Sequence, residues 1–216
     1  MKGLILNHFY MIERSIKTSI LFTMISVFGL AFIKSPLALK IAVFLPYLMI
    51  PIQFFEIFKH ESKSGWDQFL FMLPVSKNQI IQSKYITFLL LLLVSLLISL
   101  FSLFLVNNFI YPVPTNIFFN FALRGLGIIS CMAALIFPVT YLFGTQKSDS
   151  IILSSLGFSF GIFLSLSIII EIILNEHNRA DEIFSLAFYL LSTFLLLLSY
   201  FITCFIYSKK EYYFDK

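Results

Sequence analysis

Long apolar runs separated by short polar segments extend along almost the whole chain. A helix needs about 20 apolar residues to cross a bilayer core of roughly 30 Å, and most of these runs approach or exceed that length. The pattern predicts an all-α, polytopic membrane protein that forms a single transmembrane domain over residues 1–216. The six predicted transmembrane helices cover residues 18–33, 41–58, 85–106, 117–143, 151–174 and 183–207.

Residues 1–17 differ from the apolar runs because charged and apolar positions alternate there with helical periodicity. The apolar positions with this spacing are Leu4, Ile5, Phe9, Ile12 and Ile16. This spacing predicts an amphipathic helix that lies along the membrane surface. The alternative is a helix that simply extends the first span into water. In either case the basic bias of the segment favours the cytoplasmic leaflet.

The predicted span at residues 41–58 is interrupted by Pro46, Pro51, Gln53 and Glu56. We therefore expect a kinked helix that lies partly against other parts of the protein. If this helix did not cross the membrane, the lysine-rich segment that follows it would lie on the outside. That arrangement would contradict the usual excess of positive charge on the cytoplasmic side.

The distribution of Lys and Arg predicts that both termini lie inside the cell. Most of these residues fall at 1–17, 59–84, 144–150 and 208–216, which six spans place on one side. The segments on the opposite side carry only Lys34, Lys40 and Arg179.

The composition agrees with a membrane protein, since 59% of the 216 residues are hydrophobic and 12% are charged. Soluble domains are closer to half apolar and a quarter charged. The net charge of +4 is too small to indicate a nucleic-acid partner. Cys131 and Cys204 both lie in apolar runs, so we interpret them as buried hydrophobic side chains rather than disulfide partners or metal ligands.

A polar segment at 59–84, KHESKSGWDQFLFMLPVSKNQIIQSK, separates the second and third predicted spans. Ser64 and Asp67 fit a capping box, and Pro74 disfavours helical geometry at the residue before it. We therefore expect one short helix from Ser64 to Leu73 and a second that begins near Ser76. The first helix would carry one apolar stripe, formed by Trp66, Phe69, Leu70 and Leu73.

Spacing alone leaves two interpretations of this short helix equally open. Its aromatic stripe could rest on lipid headgroups, where Trp is common. It could equally dock into a groove on a soluble partner protein.

The segment at residues 61–85 resembles the first cytoplasmic loop of ABC-2 type transporter permeases. The positions that carry the resemblance are Glu61, Lys63, Gly65, Trp66, Leu73, Pro74, Val75, Ser76 and Lys84. The layout of an N-terminal interfacial helix, six spans and internal termini also matches that family. Within it, the chain is similar to the small permeases of the staphylococcal phenol-soluble modulin exporter.

The resemblance implies a permease subunit of an ATP-driven exporter in a bacterial cell membrane. Its partners would be a cytoplasmic ATPase subunit, which supplies ATP and Mg, and a second permease subunit of the same or a different sequence. The cargo would be amphipathic peptides such as cytolytic toxins, or lipid-like compounds, and export could give immunity to such toxins. The residues implied to couple the permease to the ATPase are Glu61, Lys63, Gly65, Trp66, Asp67, Phe69, Leu70, Leu73 and Pro74.

The chain itself is not expected to be an enzyme or to bind a cofactor or metal. A phosphate-binding loop ending at Lys147 and Ser148 would need glycine at positions 141 and 146, where Tyr141 and Gln146 stand. No H-E-x-x-H motif is present. ATP hydrolysis is therefore assigned to a partner.

Arg124 and Glu171 are charged residues within predicted spans, at similar distances from the outer surface. Charges at such positions usually pair with each other, extend towards the interface or contact substrate. We expect an Arg124–Glu171 pair or outward extension, with substrate contact as the alternative. Glu56, at the inner end of the second span, is expected to join the network that meets the ATPase.

Two other classes of function are kept as alternatives, a secondary transporter and a membrane sensor or scaffold subunit. Secondary transporters usually contain internal repeats and polar groups near the bilayer midplane. The sequence contains no clear repeat, and its charges lie near the ends of the spans. These features favour an ATP-driven permease.

Overall fold

The computed structural model describes residues 2–33, 35–70, 75–109, 115–174 and 177–209. These residues form helices and short 3₁₀ turns without any strand, which confirms the predicted all-α fold class. The helices are α1 Lys2–Phe32, α2 Pro36–Met49, α3 Glu56–Ser64, α4 Trp66–Leu70, α5 Lys77–Phe109, α6 Thr115–Phe143, α7 Ser148–Leu174 and α8 His177–Lys209.

Five stretches within the described residues are long and apolar enough to cross a membrane, judged by length and composition. They are Lys40–Ser64, Lys77–Asn108, Phe118–Phe143, Thr145–Ile173 and Asp181–Lys209. They correspond to the second to sixth predicted spans, which agrees with a polytopic membrane protein. The first predicted span lies within α1 and is not among the five. The count of six spans and the inside location of both termini stay predictions.

The N-terminal segment is one continuous helix and not a surface helix followed by a separate span. α1 runs without a break from Lys2 to Phe32, which agrees with the alternative of a helix that extends the first span, and the membrane boundary after residue 17 stays a prediction. Three side chains one turn apart, Leu4, His8 and Ile12, are buried against the rest of the protein. The periodic face of α1 therefore packs on the protein core.

The predicted irregularity of the second span is confirmed at Pro51. A 3₁₀ turn at Pro51–Phe55 separates α2 from α3, and Phe54 and Phe55 within it are buried. The helical path continues to Ser64, beyond the predicted end at residue 58. α5 begins at Lys77, which confirms the helix that was predicted to begin near Ser76 and to continue into the third span.

α6 is the central helix of the fold. Of its most apolar stretch 67% is buried, compared with 6% for that of α7. α6 packs along α8 and also contacts α2 and α7. Glycines allow the close approach, since a Cβ atom at Gly125 would lie 2.9 Å from Tyr47 Cβ on α2.

Candidate coupling site

The polar segment contains the end of α3 in addition to the two predicted helices, which are α4 and the start of α5. α3 ends at Ser64, and Gly65 follows with a φ of 66° in the left-handed region, before α4 begins at Trp66. Glycine adopts this conformation without the steric cost that other residues have, so Gly65 terminates α3. The Ser64 hydroxyl donates to the carbonyl of His60 at 2.7 Å. Ser64 therefore belongs to the end of α3, and its predicted role as an N-cap is wrong.

In α4 an aromatic side chain is exposed on the surface, and an aliphatic side chain is buried in the protein core. The rings of Trp66 and Phe69 have centroids 5.2 Å apart, and Phe69 is 47% exposed. Leu70 is buried in the core, against which Trp66 also packs. The predicted stripe is therefore divided between the protein interior and the surface. α4 ends at Leu70, and the predicted positions Leu73 and Pro74 lie outside the described residues.

Glu61 does not face a partner, although it was grouped with the contact residues. Its side chain is 0% exposed and its Oε2 atom lies 2.5 Å from Nζ of Lys84, which is 1% exposed. Lys63, in the last turn of α3, is exposed. Glu61 is therefore buried and Lys63 is exposed, although the resemblance implies the same coupling role for both.

His8 of α1 lies beside this buried pair, a contact that was not predicted from the sequence. Its Nδ1 lies 3.3 Å from the Thr87 hydroxyl, and its Nε2 lies 3.9 Å from Oε1 of Glu61. Burial, together with the positive charge of Lys84, lowers the pKa of His8 to about 3. The imidazole is therefore neutral at physiological pH. Its spacing from Leu4 and Ile12 was the only sequence signal that could have placed it inside.

Lys84 also lies against aromatic rings of the core. Its Nζ atom is 4.9 Å from the Phe58 ring centroid and 5.2 Å from that of Tyr141. Phe58 in turn packs edge-on against Phe137 of α6. Cations are stabilised over aromatic faces, more so when water is excluded. The buried ammonium group therefore connects α3, α5 and α6.

Two further polar contacts fasten α3 to its neighbours. The Ser15 hydroxyl of α1 donates to Glu56 at 2.5 Å. Lys59 forms an ion pair with Asp149 at the start of α7, with side chains that are 41% and 75% exposed. α3 is thus connected to α1, α5 and α7, and it carries α4 at its end.

A second polar cluster lies near the opposite end of α6. Arg124 donates to the Asp181 carboxylate at 3.0 Å and to the Ser185 hydroxyl at 2.9 Å. Its guanidinium also lies over the ring of Phe184. Glu171 lines the same cavity of about 310 Å³. Arg124 therefore forms an ion pair with Asp181, which lies in the polar segment between the fifth and sixth predicted spans, and Glu171 lies beside this pair along the cavity.

The helical fold and the pair of helices at the polar segment agree with the expected permease architecture. A family model described as "ABC-2 family transporter protein" matches residues 3–208. The chain belongs to this family. Members are membrane components of ABC transporters, and ATP hydrolysis takes place in a partner ATPase. No curated protein and no solved structure matches this ABC-2 permease.

Among the described residues of the permease, no three His, Cys, Asp or Glu side chains are grouped so that they could hold a metal ion. The two polar clusters supply ion pairs and hydrogen bonds between helices.

Proposed function

We propose that this permease belongs to an ATP-driven exporter of a bacterial cell membrane and that α4 is its coupling helix. The observation that carries the proposal is the exposed aromatic ring of Phe69, held beside Trp66 on a helix that Leu70 anchors to the core. An exposed aromatic residue on a firmly seated helix suits insertion into a groove of the ATPase. Buried aromatic anchors commonly dominate the energy of such interfaces.

In this proposal five of the predicted coupling residues have distinct roles. Phe69 and the exposed Lys63 meet the ATPase, with Trp66 supporting the aromatic contact. Gly65 sets the angle between α3 and α4. Glu61 acts from inside the permease, because its side chain is buried against Lys84.

The proposed cargo is an amphipathic or hydrophobic peptide, for example a cytolytic toxin, whose export would also protect the producing cell. The likeness to the phenol-soluble modulin permeases supports this cargo, as does a surface rich in exposed phenylalanine at Phe101, Phe104 and Phe119. A second permease subunit, identical or different, would complete the pathway.

Transport by purified protein tests the proposal. The permease and its ATPase are reconstituted in proteoliposomes, and transport of a fluorescent amphipathic helical peptide is followed with and without ATP. We expect ATP-dependent transport that Phe69→Ala reduces, together with a loss of ATPase association. Phe201→Ala is the matched control, since Phe201 is equally an exposed phenylalanine but lies on α8.

Other outcomes would identify the alternatives. Transport driven by an ion gradient without the ATPase would indicate a secondary transporter. Partner binding through α4 with no transport of peptide or lipid-like cargo would indicate a sensor or scaffold subunit. Unchanged ATPase association in the Phe69→Ala variant would overturn the role of α4.

A further inference from the structure

The ion pair between Lys84 and Glu61, called here the buried ion pair, is not explained by a gain in stability. Both side chains are almost fully removed from solvent. Burying two charges has a desolvation cost that their attraction often only balances, and well-packed apolar replacements are frequently neutral or stabilising. The role of the pair is therefore better sought in what it connects.

The buried ion pair connects the base of α4 to the membrane helices. Glu61 lies in the last turn of α3, and only Gly65 separates that helix from α4. Lys84 lies near the start of α5, in a candidate membrane span, and its ammonium group also contacts the ring of Tyr141 on α6. A movement of α3 would therefore act on both α5 and α6 through Lys84.

The other ionic contact of α3 is much less able to transmit such a movement. Lys59 and Asp149 are both substantially exposed, so water and salt screen their attraction. Exposed pairs of this kind contribute little to stability. The buried ion pair is shielded by Phe58 and His8, and its geometry is fixed by packing on several sides.

We propose that Lys84 and Glu61 are positioning residues that transmit the displacement of α4 by the ATPase to α5 and α6. The inference rests on the proposed function, because it needs α4 to be the docking element. ATP binding moves the docked α4, Gly65 carries the motion into the end of α3, and Glu61 moves Lys84 with it. His8, held by Thr87, limits the motion of Glu61 on the α1 side.

The test compares the stability of the permease with the number of peptides transported per ATP hydrolysed. The double variant Glu61→Leu with Lys84→Met removes both charges and keeps an apolar filling. In the complex with the ATPase, we expect its thermal midpoint and its ATPase association to match the wild type. Transport per ATP should fall by about tenfold, within the range usual for coupling between two sites.

Lys59→Met is the matched control, because it removes a lysine of the same helix whose ion pair is exposed. It should leave transport per ATP unchanged. If the apolar double variant transports as efficiently as the wild type, the buried ion pair is only structural and the inference is wrong.

A second comparison serves if the double variant does not fold. Glu61→Asp keeps the ion pair, whereas the double variant Glu61→Gln with Lys84→Met keeps the size of both side chains and leaves no unpaired buried charge. At equal ATPase association, we expect the Glu61→Asp variant to keep its transport per ATP and the variant without charges to lose most of it. Equal transport per ATP in the two variants would overturn the inference. Failure of the proposed function would look different, because the wild type would then show no ATP-dependent transport.

Discussion

Gly127 of α6 lies directly against the ring of Phe188 on α8, so that a Cβ atom at position 127 would come within 2.6 Å of the ring. Real Cβ atoms are not found that close to other heavy atoms. The ring is fully buried and also packs against Phe163 and Phe184, which restricts its movement. The contact between α6 and α8 therefore requires glycine at this position.

Gly127→Ala is expected to destabilise the permease by about 1–3 kcal/mol, the usual cost of overpacking a close-packed core. The measurement is the unfolding midpoint in detergent micelles. Gly29→Ala is the control, since a Cβ atom at Gly29 in α1 would meet nothing within 4 Å. Equal midpoints for the two variants would contradict the close packing of α6 on α8.

Gly65→Ala is expected to weaken association with the ATPase while leaving the membrane helices folded. Gly65 has a φ of 66°, and a left-handed conformation costs most residues roughly 1–2 kcal/mol. Relief of this strain would change the direction of α4 and displace Phe69. Asparagine tolerates the left-handed region, so Gly65→Asn should retain most of the association. Co-purification of the ATPase measures both, and equal retention by the two variants would contradict the role of Gly65.

The stability of the permease is expected to decrease as the pH falls from about 6.5 towards 3. Burial lowers the pKa of His8 to about 3 in the folded state, whereas the unfolded chain takes up the proton near 6.5. The unfolded state therefore binds more protons across this range, which favours unfolding by up to about 1.4 kcal/mol per pH unit.

Chemical unfolding in detergent at several pH values measures this slope. His8→Gln removes the titrating group and should reduce the slope by the contribution of one proton. The same pH dependence in the variant would show that other groups are responsible.

The fold class followed from the sequence because membrane helices are specified by long apolar runs, which can be recognised without knowledge of their neighbours. The position of the short aromatic helix also followed, because Trp66 and Phe69 have helical spacing. The end of α3 did not. Ser64 and Asp67 satisfied a capping pattern, but Gly65 satisfied a helix-terminating pattern at the same place, and the left-handed conformation prevailed.

The inward position of Glu61 was equally beyond the sequence. A polar loop gives no sign of which charge will turn inwards, and the partner Lys84 lies on a different helix. The buried position of His8 was harder still to predict, because its contact with Thr87 joins residues far apart in the chain. Such contacts depend on how helices pack, for which a single sequence has no local signal.

The partner of Arg124 distinguishes the structure most directly from the sequence prediction. The sequence predicted either a pairing with Glu171 or an outward extension of Arg124, whereas the structure has the guanidinium 3.0 Å from the carboxylate of Asp181. A double-mutant cycle with Arg124→Gln separates the two, combining it with Asp181→Asn in one cycle and with Glu171→Gln in the other. Because Asp181 is 71% exposed, the coupling energy in the first cycle should be modest, about 0.5–1 kcal/mol. The second cycle should give a smaller value, and the reverse order would restore the pairing that the sequence predicted.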